Sequence, residues 1–280
     1  MAGYVLLEGV RSWYDDHGDG EALVMLHPGG AGVDARALEP NVGALAARFH
    51  VYTPERRGHG RTPDVEGPMT FDAMANDTIA FLQAIVGEPA HLVGCSDGAT
   101  VALLVARRRP DLVRHLVLVA GVFHRDGWVP SVIDPQNEPP EFLAELYAEV
   151  SPDGPEHYPL IVDKLAQMHL VEPAMSTDDL KDVKSRTLVM VADDDEVTLE
   201  HAIATYRALP DAELIVVPGT SHGLLVEKPE LCNRVILDFL TVNPVPTMAP
   251  IRRKASSRIR GGNDLEVLAE SRPGLHSPPS

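Results

Sequence analysis

The sequence predicts an α/β protein with a mostly parallel central sheet and helices on both faces. Apolar runs of strand length alternate with segments of helical period along most of its 280 residues. Such alternation indicates parallel strands joined by crossover helices. The chain is about twice as long as a typical domain, which suits one large sheet domain with an insertion or two modest domains. A composition of 44% apolar and 23% charged residues excludes collagen-like and wholly disordered classes.

The predicted elements follow in the order that such a sheet requires. The first two strands cover residues 4–7 and 10–14, and residues 15–20 (DDHGDG) are predicted as a turn. An EF-hand calcium loop would need Glu at its twelfth position, which is Leu26 here. The later strands are predicted at residues 22–26, 49–53, 90–94, 113–120, 187–191 and 213–217, and the helices at 35–47, 71–86, 99–109, 199–209 and 230–240.

The alternation stops between residues 121 and 184. This segment is rich in proline around residues 134–140 and has helical stretches near 141–150 and 160–170. It is too long for a simple connection between two strands. We therefore predict that residues 122–183, hereafter the insertion, form a helical cap over the sheet. Residues 1–121 and 184–242 would form the core.

Charge is divided unevenly along the chain. The sequence has 24 basic and 41 acidic side chains, a net charge of −17. Residues 243–280 carry six basic and three acidic groups, so residues 1–242 carry −20. This acidic body repels phosphate backbones and anionic membranes, so we expect a small-molecule substrate and neither nucleic acid nor membrane as a partner. The tail is rich in Pro, Ser and Gly without apolar periodicity, which predicts disorder.

The sequence shows neither a membrane span nor the features of a signal peptide, and its cysteines indicate neither a disulfide framework nor a metal site. No run approaches the ~18 apolar residues of a membrane span, and the first ten residues lack the features of a signal peptide. The two cysteines, Cys95 and Cys232, are too few for a disulfide framework and form no metal-binding pair. We therefore predict a cytoplasmic protein with no metal and no cofactor.

The clearest chemical motif is the pentapeptide at residues 94–98 (GCSDG). It matches the pattern GxSxG, directly follows a predicted strand and directly precedes a predicted helix, as a nucleophile elbow requires. The glycines leave room for a strained turn that exposes the hydroxyl of Ser96 at the carboxyl end of the strand, where open α/β sheets place their ligands. The sequence therefore predicts Ser96 as a nucleophile.

A serine nucleophile needs a general base, and that base needs an acid to orient it. Both residue types follow at the ends of later predicted strands. One strand ends in three aspartates at residues 193–195, and the other ends at residues 219–223 (GTSHG). We predict His222 as the base. Strand ends alone leave all three aspartates as candidates for the acid.

Four motifs together resemble the α/β-hydrolase fold family over about residues 3–242. They are residues 26–30 (LHPGG), 55–62 (ERRGHGRT), the elbow, and 219–222 (GTSH). The family order of nucleophile, acid and base is also the order here. The resemblance implies that Asp195 is the acid and that Asp193 and Asp194 are solvated turn residues.

The resemblance also implies where an oxyanion would bind. Two backbone N–H groups would stabilise it, one from Gly29 and one from Asp97. This chain has Pro28 where the family commonly has glycine, but proline removes only its own N–H and leaves that of Gly29 intact. The same resemblance gives His27 and His59 supporting roles near this loop.

Other interpretations of single motifs explain less of the sequence. Residues 30–35 (GAGVDA) match a dinucleotide-binding pattern, with Glu55 as a ribose ligand, which would indicate a nicotinamide oxidoreductase. That interpretation leaves the elbow and His222 unexplained. Arg56 and Arg57 look like a phosphate site, but the resemblance implies that their turn is structural.

The resemblance implies a serine hydrolase that cleaves a carboxylic ester, thioester or lactone through a covalent acyl-enzyme. C–C bond hydrolases, cofactor-free perhydrolases and amide hydrolases use the same triad, and non-catalytic receptors of this fold can retain it. The insertion suggests a small to medium, largely apolar pocket. The candidate lining residues are Phe123, Trp128, Phe142, Leu146, Tyr147 and Met168.

Overall fold

A computed structural model of the chain describes residues 2–134, 137–242 and 247. Its centre is a sheet of eight strands. They are β1 (Gly3–Leu7), β2 (Val10–His17), β3 (Glu21–Leu26), β4 (Phe49–Pro54), β5 (Ala90–Cys95), β6 (Val113–Val119), β7 (Arg186–Asp194) and β8 (Ala212–Ser221). The spatial order is β1-β2-β4-β3-β5-β6-β7-β8.

Antiparallel pairing is confined to one side of the sheet. Strand β2 pairs antiparallel with β1 and β4, whereas all pairs from β4 across to β8 are parallel. Strands such as β3 and β5 are buried almost throughout, which explains their continuous apolar runs. The predicted mostly parallel sheet is confirmed.

Helices cover the sheet on both faces. They are α1 (Glu39–Ala46), α2 (Phe71–Phe81), α3 (Asp97–Arg108), α4 (Glu141–Val150), α5 (Tyr158–Val171), α6 (Leu199–Ala208), α7 (Leu224–Glu227) and α8 (Pro229–Thr241). Helices α2 and α3 contribute Met74, Phe81 and Val101 to one buried apolar cluster, and α1 and α8 contribute Leu45 and Ile236 to a second. The α/β architecture predicted from the alternation is confirmed.

Two local predictions are wrong. The predicted turn at residues 15–20 is too long, because residues 15–17 continue β2 and pair with β4. The predicted helix at 35–47 is interrupted: a 3₁₀ turn over Ala35–Leu38 precedes α1. Pro40 stands in the first turn of α1, where its missing N–H has no intrahelical partner to lose.

The segment between β6 and β7 carries α4 and α5, as the helical periods of the insertion predict. Arg36, in the 3₁₀ turn before α1, connects α4 to the sheet domain. Its guanidinium donates to the Glu149 carboxylate at 2.6 Å and to the Leu146 carbonyl at 2.9 Å. The insertion is therefore attached to the loop that follows β3.

The predicted basic tail, residues 243–280, lies outside the described residues except for residue 247. Within the described part, no helix combines the length and the apolar character needed to cross a bilayer. Cys95 and Cys232 are both buried, and neither forms a disulfide.

Candidate active site

Ser96 occupies a strained turn between β5 and α3. Its φ of 55° and ψ of −121° are values that a residue with a side chain rarely adopts. The turn fits because a β-carbon on Gly94 would overlap the carbonyl oxygen of Gly98, and one on Gly98 would overlap that of Leu26. The Ser96 N–H donates to Val119 O at 2.8 Å, which fastens the turn to β6. These contacts hold the serine at the carboxyl end of the parallel strands.

A chain of hydrogen bonds connects Ser96 to the two residues that follow β7 and β8. His222 Nε2 lies 2.9 Å from Ser96 Oγ, and His222 Nδ1 lies 2.7 Å from Asp195 Oδ1. Asp195 also accepts from the backbone N–H groups of Ala192 at 2.8 Å and Val197 at 3.1 Å. The structure thus brings together the serine, histidine and aspartate that the sequence analysis predicts.

Hydrogen bonds and neighbouring charges together outweigh burial in setting the pKa values of Asp195 and His222. Burial raises the pKa of Asp195, but hydrogen bonds from His222 and two backbone amides bring it below its ordinary value. Burial lowers the pKa of His222, but the hydrogen bond to Asp195 and the charges of Glu196, Asp195 and Asp97 raise it above its ordinary value. Glu196 Oε2 lies 3.7 Å from His222 Nε2. This setting strengthens His222 as a proton acceptor.

The two aspartates before Asp195 lie elsewhere. Asp193 accepts from the Thr220 N–H at 3.1 Å, and this bond connects the end of β7 to the end of β8. Hydrogen bonds from the Gly219 and Thr220 backbone lower the pKa of Asp193. Asp194 is exposed. Of the three candidate acids, Asp195 is the one in hydrogen-bond contact with His222.

Gly29 and Asp97, the predicted oxyanion donors, lie in contact. A β-carbon on Gly29 would overlap Asp97 Oδ2, so the carboxylate packs against the Gly29 α-carbon. Asp97 is the first residue of α3, where backbone N–H groups have no intrahelical acceptor. Among the described residues, neither the Gly29 nor the Asp97 N–H has a hydrogen-bond acceptor. Both groups are available to stabilise an oxyanion.

A buried guanidinium holds the loop that carries Gly29. Arg56 donates to the carbonyl of His27 at 2.5 Å and to that of Pro28 at 2.9 Å. Burial lowers the pKa of Arg56 to about 10, although the nearby Asp97 charge opposes the effect. Arg56 therefore orders the backbone of the loop that carries Gly29.

The side chains that suggest a phosphate site or a ribose ligand, Arg57 and Glu55, are paired with other side chains of the protein. Arg57 forms two hydrogen bonds of 2.7 Å with Asp77. Glu55 accepts from the Arg61 backbone at 2.5 Å and from its guanidinium at 2.6 Å. His59 is fully buried, and burial together with the Arg56 charge lowers its pKa to about 4. These pairs argue against a phosphate or ribose site at this turn.

The sequence analysis does not identify His169, which lies on α5 in the insertion. Its Nε2 is 3.0 Å from both carboxylate oxygens of Asp97. Burial lowers the pKa of His169, but the charge and hydrogen bond of Asp97 raise it above its ordinary value. Burial raises the pKa of Asp97, whereas His169 and Arg56 bring it below its ordinary value. No motif marks His169, because its contact depends on how the insertion folds back onto α3.

Trp128 and Phe123 are the predicted pocket residues nearest the start of the insertion. The Trp128 ring centroid lies 5.7 Å from that of His222 and 6.4 Å from that of His169. A β-bridge between Trp128 and Val197 fixes this position beside the residues that follow β7. Phe123 is buried, and its ring centroid lies 4.1 Å from that of His201. Trp128 thus lies beside His222, whereas the observed ring contact of Phe123 is with His201 of α6.

The other four predicted pocket residues lie on α4 and α5. Met168 and Tyr147 are buried, and Leu146 is half-buried. Phe142 is 56% exposed on the first turn of α4. Neighbouring residues 138–141 are exposed as well. The predicted lining role of Phe142 is therefore not supported by its position.

The fold and this geometry together define a hydrolase-type site on an α/β sheet. Residues 23–235 match the model of the alpha/beta hydrolase family, which is about three quarters of the chain. The protein therefore belongs to the alpha/beta hydrolase family, as the four sequence motifs imply.

Named relatives are hydrolases of several kinds. RutD of Azorhizobium caulinodans, a proposed carbamate hydrolase, is 26% identical over 251 residues, which cover 81% of this chain and 94% of RutD. The 2-hydroxy-6-oxo-6-phenylhexa-2,4-dienoate hydrolase of Burkholderia cepacia is 28% identical over 270 residues, which cover 84% of this chain and 92% of that enzyme. The solved structure of the enol-lactonase from Burkholderia xenovorans LB400 has a TM-score of 0.69 at 21% identity. The match covers 85% of this chain and 100% of the enol-lactonase, and it shows the shared fold. These relatives support hydrolysis as the reaction class.

Proposed function

We propose that this protein is a serine hydrolase that cleaves a carboxylic ester, thioester or lactone through a covalent acyl-enzyme. One observation carries the proposal: Ser96, His222 and Asp195 form a continuous hydrogen-bonded chain that begins at a strained serine. We refer to these three residues as the triad.

In the first step, Ser96 Oγ attacks the carbonyl carbon of the substrate while His222 Nε2 removes its proton. Asp195 holds the imidazole and stabilises its positive charge. The carbonyl oxygen becomes an oxyanion, which accepts hydrogen bonds from the N–H groups of Gly29 and Asp97. When the tetrahedral intermediate collapses, His222 returns the proton to the leaving alcohol or thiol.

The second step reverses these roles with water as the nucleophile. His222 Nε2 takes a proton from water, and the resulting hydroxide attacks the acyl carbon on Ser96 Oγ. Collapse of the second intermediate releases the carboxylic acid and returns the proton to Ser96. For a lactone, the acid and the alcohol remain in one molecule.

The charges around the triad favour an uncharged, apolar acyl group. The carboxylates of Glu196 and Asp97 both raise the pKa of His222 by their proximity. Two nearby basic side chains already have acceptors: Arg56 donates to loop carbonyls, and His169 is paired with Asp97. An anionic substrate would therefore meet the Glu196 carboxylate beside His222 while both of these basic side chains are engaged. The Trp128 ring supplies apolar surface next to His222.

A second candidate is hydrolysis of a C–C bond next to a ketone, as in the relative from Burkholderia cepacia. The observation that favours this candidate is the similarity to that relative, which extends over 84% of this chain. The substrate named for that relative is a carboxylate, which the charges around this triad disfavour. Ester, thioester or lactone cleavage is therefore our first choice.

The test combines a substrate series with active-site labelling. We expect turnover of p-nitrophenyl esters of graded acyl length and stoichiometric labelling by a fluorophosphonate. Both should be lost in S96A and kept in S176A, a matched control at an exposed serine after α5. Absence of turnover with slow single-burst acylation would instead favour a receptor. Cleavage of a 6-oxo-dienoate without ester turnover would favour C–C hydrolysis.

A further inference from the structure

A buried carboxylate stands next to both proposed oxyanion donors. Asp97 is 1% exposed, and its side chain packs against the α-carbon of Gly29. One proposed donor is the amide of Asp97 itself, and the other belongs to the glycine that its carboxylate contacts. A negative charge so close to a developing oxyanion opposes it, and low-dielectric surroundings strengthen the repulsion. An enzyme with this arrangement requires a compensating positive charge.

Three basic side chains lower the pKa of Asp97 by their charge: His169, Arg56 and His59. The Arg56 guanidinium already donates to the carbonyls of His27 and Pro28. His169 makes the direct contact, because its Nε2 lies 3.0 Å from each carboxylate oxygen. The pKa of Asp97 is lowered and that of His169 is raised, so the charged forms of both partners are favoured. The basic side chain in direct contact with Asp97 therefore comes from the insertion.

We propose that His169 is a positioning residue for the oxyanion hole, which neutralises and orients the Asp97 carboxylate so that the Gly29 and Asp97 amides act without an opposing charge. This inference rests on the proposed serine hydrolase function. It makes one side chain of the insertion part of the electrostatics of the reaction, although that side chain acts through Asp97 and not on the substrate.

A purely structural role for the same pair makes a different prediction. If the pair only fastened α5 to α3, loss of one partner would leave a buried unpaired group and lower the free energy of unfolding, while kcat of the folded protein stayed unchanged. If the pair compensates charge, loss of His169 is harmful because the Asp97 charge remains. Replacing that charge as well then restores the rate. The two roles therefore differ in the quantity to which the two substitutions couple: the free energy of unfolding for a fastening pair, and kcat for a compensating pair.

The experiment measures kcat and KM for a p-nitrophenyl ester, and the rate of fluorophosphonate labelling, in H169Q, D97N and D97N/H169Q. We expect H169Q to lower kcat and the labelling rate by roughly 10- to 100-fold, with KM nearly unchanged. The double variant should recover most of the loss relative to H169Q. The control is H157Q, which breaks a similar 3.0 Å pair between the insertion and Asp64 and should match the wild type.

Two results would overturn the inference while Ser96 labelling stands: wild-type kinetics in H169Q, or a double variant no faster than H169Q. If the wild type is not labelled, or S96A is labelled equally, the proposed function falls and the inference with it. Circular dichroism checks folding. Should H169Q fail to fold, H169N provides a second neutral replacement, and H169K, which keeps a cation, must be faster than H169N.

Discussion

The carboxylate of Asp97 rests directly against the α-carbon of Gly29, so that these two residues leave no space for a side chain at position 29. The contact joins the loop after β3 to the first residue of α3. Both partners contribute a backbone N–H to the proposed oxyanion hole, so their spacing sets the geometry of that hole.

We predict that Gly29→Ala lowers kcat by about 10²- to 10³-fold, comparable to the loss of one oxyanion donor. The added methyl group would collide with Asp97 Oδ2 and displace the Gly29 amide. Ester kinetics measure the effect. Gly43→Ala is the matched control, because Gly43 lies in α1 with no atom within 4 Å of an added β-carbon. It should keep full activity and increase stability by about 0.5–1 kcal/mol; equal kinetics in both variants would contradict the assignment of Gly29.

The acid of the triad can be identified by three parallel substitutions. We expect Asp195→Asn to reduce kcat by about 10⁴-fold, because the amide cannot hold His222 in the reactive tautomer or stabilise its charge. Asp193→Asn and Asp194→Asn should stay within about tenfold of the wild type, since Asp193 is bound to the Thr220 backbone and Asp194 is exposed. Ester kinetics distinguish them. An inactive Asp194→Asn with an active Asp195→Asn would contradict the assignment.

Glu196 should shift the pH dependence of the reaction. Burial lowers the pKa of His222, but Asp195 and the Glu196 charge raise it, so the rise of kcat/KM with pH should be centred above the ordinary histidine value. Removing the charge in Glu196→Gln lets the pKa fall, and the rise should move to lower pH by roughly half a unit. Glu200→Gln makes the same change in net charge at an exposed position of α6. Equal shifts in both variants would mean a general charge effect.

Acid should destabilise the fold partly through His201. Burial and the charge of His124 lower the pKa of His201 to about 4, so the folded protein holds this side chain neutral. The unfolded chain takes up the proton near the ordinary value of about 6.5, so this stabilisation is complete above that pH and is lost as pH falls towards 4.

In His201→Gln, the free energy of unfolding should fall less steeply with acid than in the wild type. At about pH 4.5, the variant should have lost up to about 2 kcal/mol less than the wild type has. The glutamine oxygen can still accept the Phe123 N–H that His201 Nε2 accepts at 3.1 Å. Urea unfolding across this pH range measures the slope. His17→Gln, at a half-exposed histidine of β2, controls for the loss of a histidine elsewhere in the fold. Parallel wild-type and His201→Gln slopes would exclude this contribution.

Periodicity was sufficient to predict the sheet but not all element ends. Buried runs such as β3 and β5 have no polar alternation, and their length alone indicates strands. The end of β2 could not be predicted, because residues 15–17 are polar and gain their strand conformation by pairing with β4. That pairing is a long-range contact, which local preference does not encode.

The parts of the site that sit at strand ends were predictable, and those that depend on side-chain packing were not. The elbow, Asp195 and His222 each follow an apolar run, so their residue types and order indicate a common edge. His169 lacks such a marker, since a histidine on a helix most often has no catalytic partner. Its pairing with Asp97 arises only when α5 folds back onto α3.

The order of the triad along the chain has a consequence for biosynthesis. Ser96, the proposed nucleophile, lies between β5 and α3. Its proposed base, His222, lies 126 residues further on, after the edge strand β8. A chain that ends before β8 would therefore lack the proposed base of Ser96, and the proposed hydrolytic activity would be acquired only when β8 has joined the sheet.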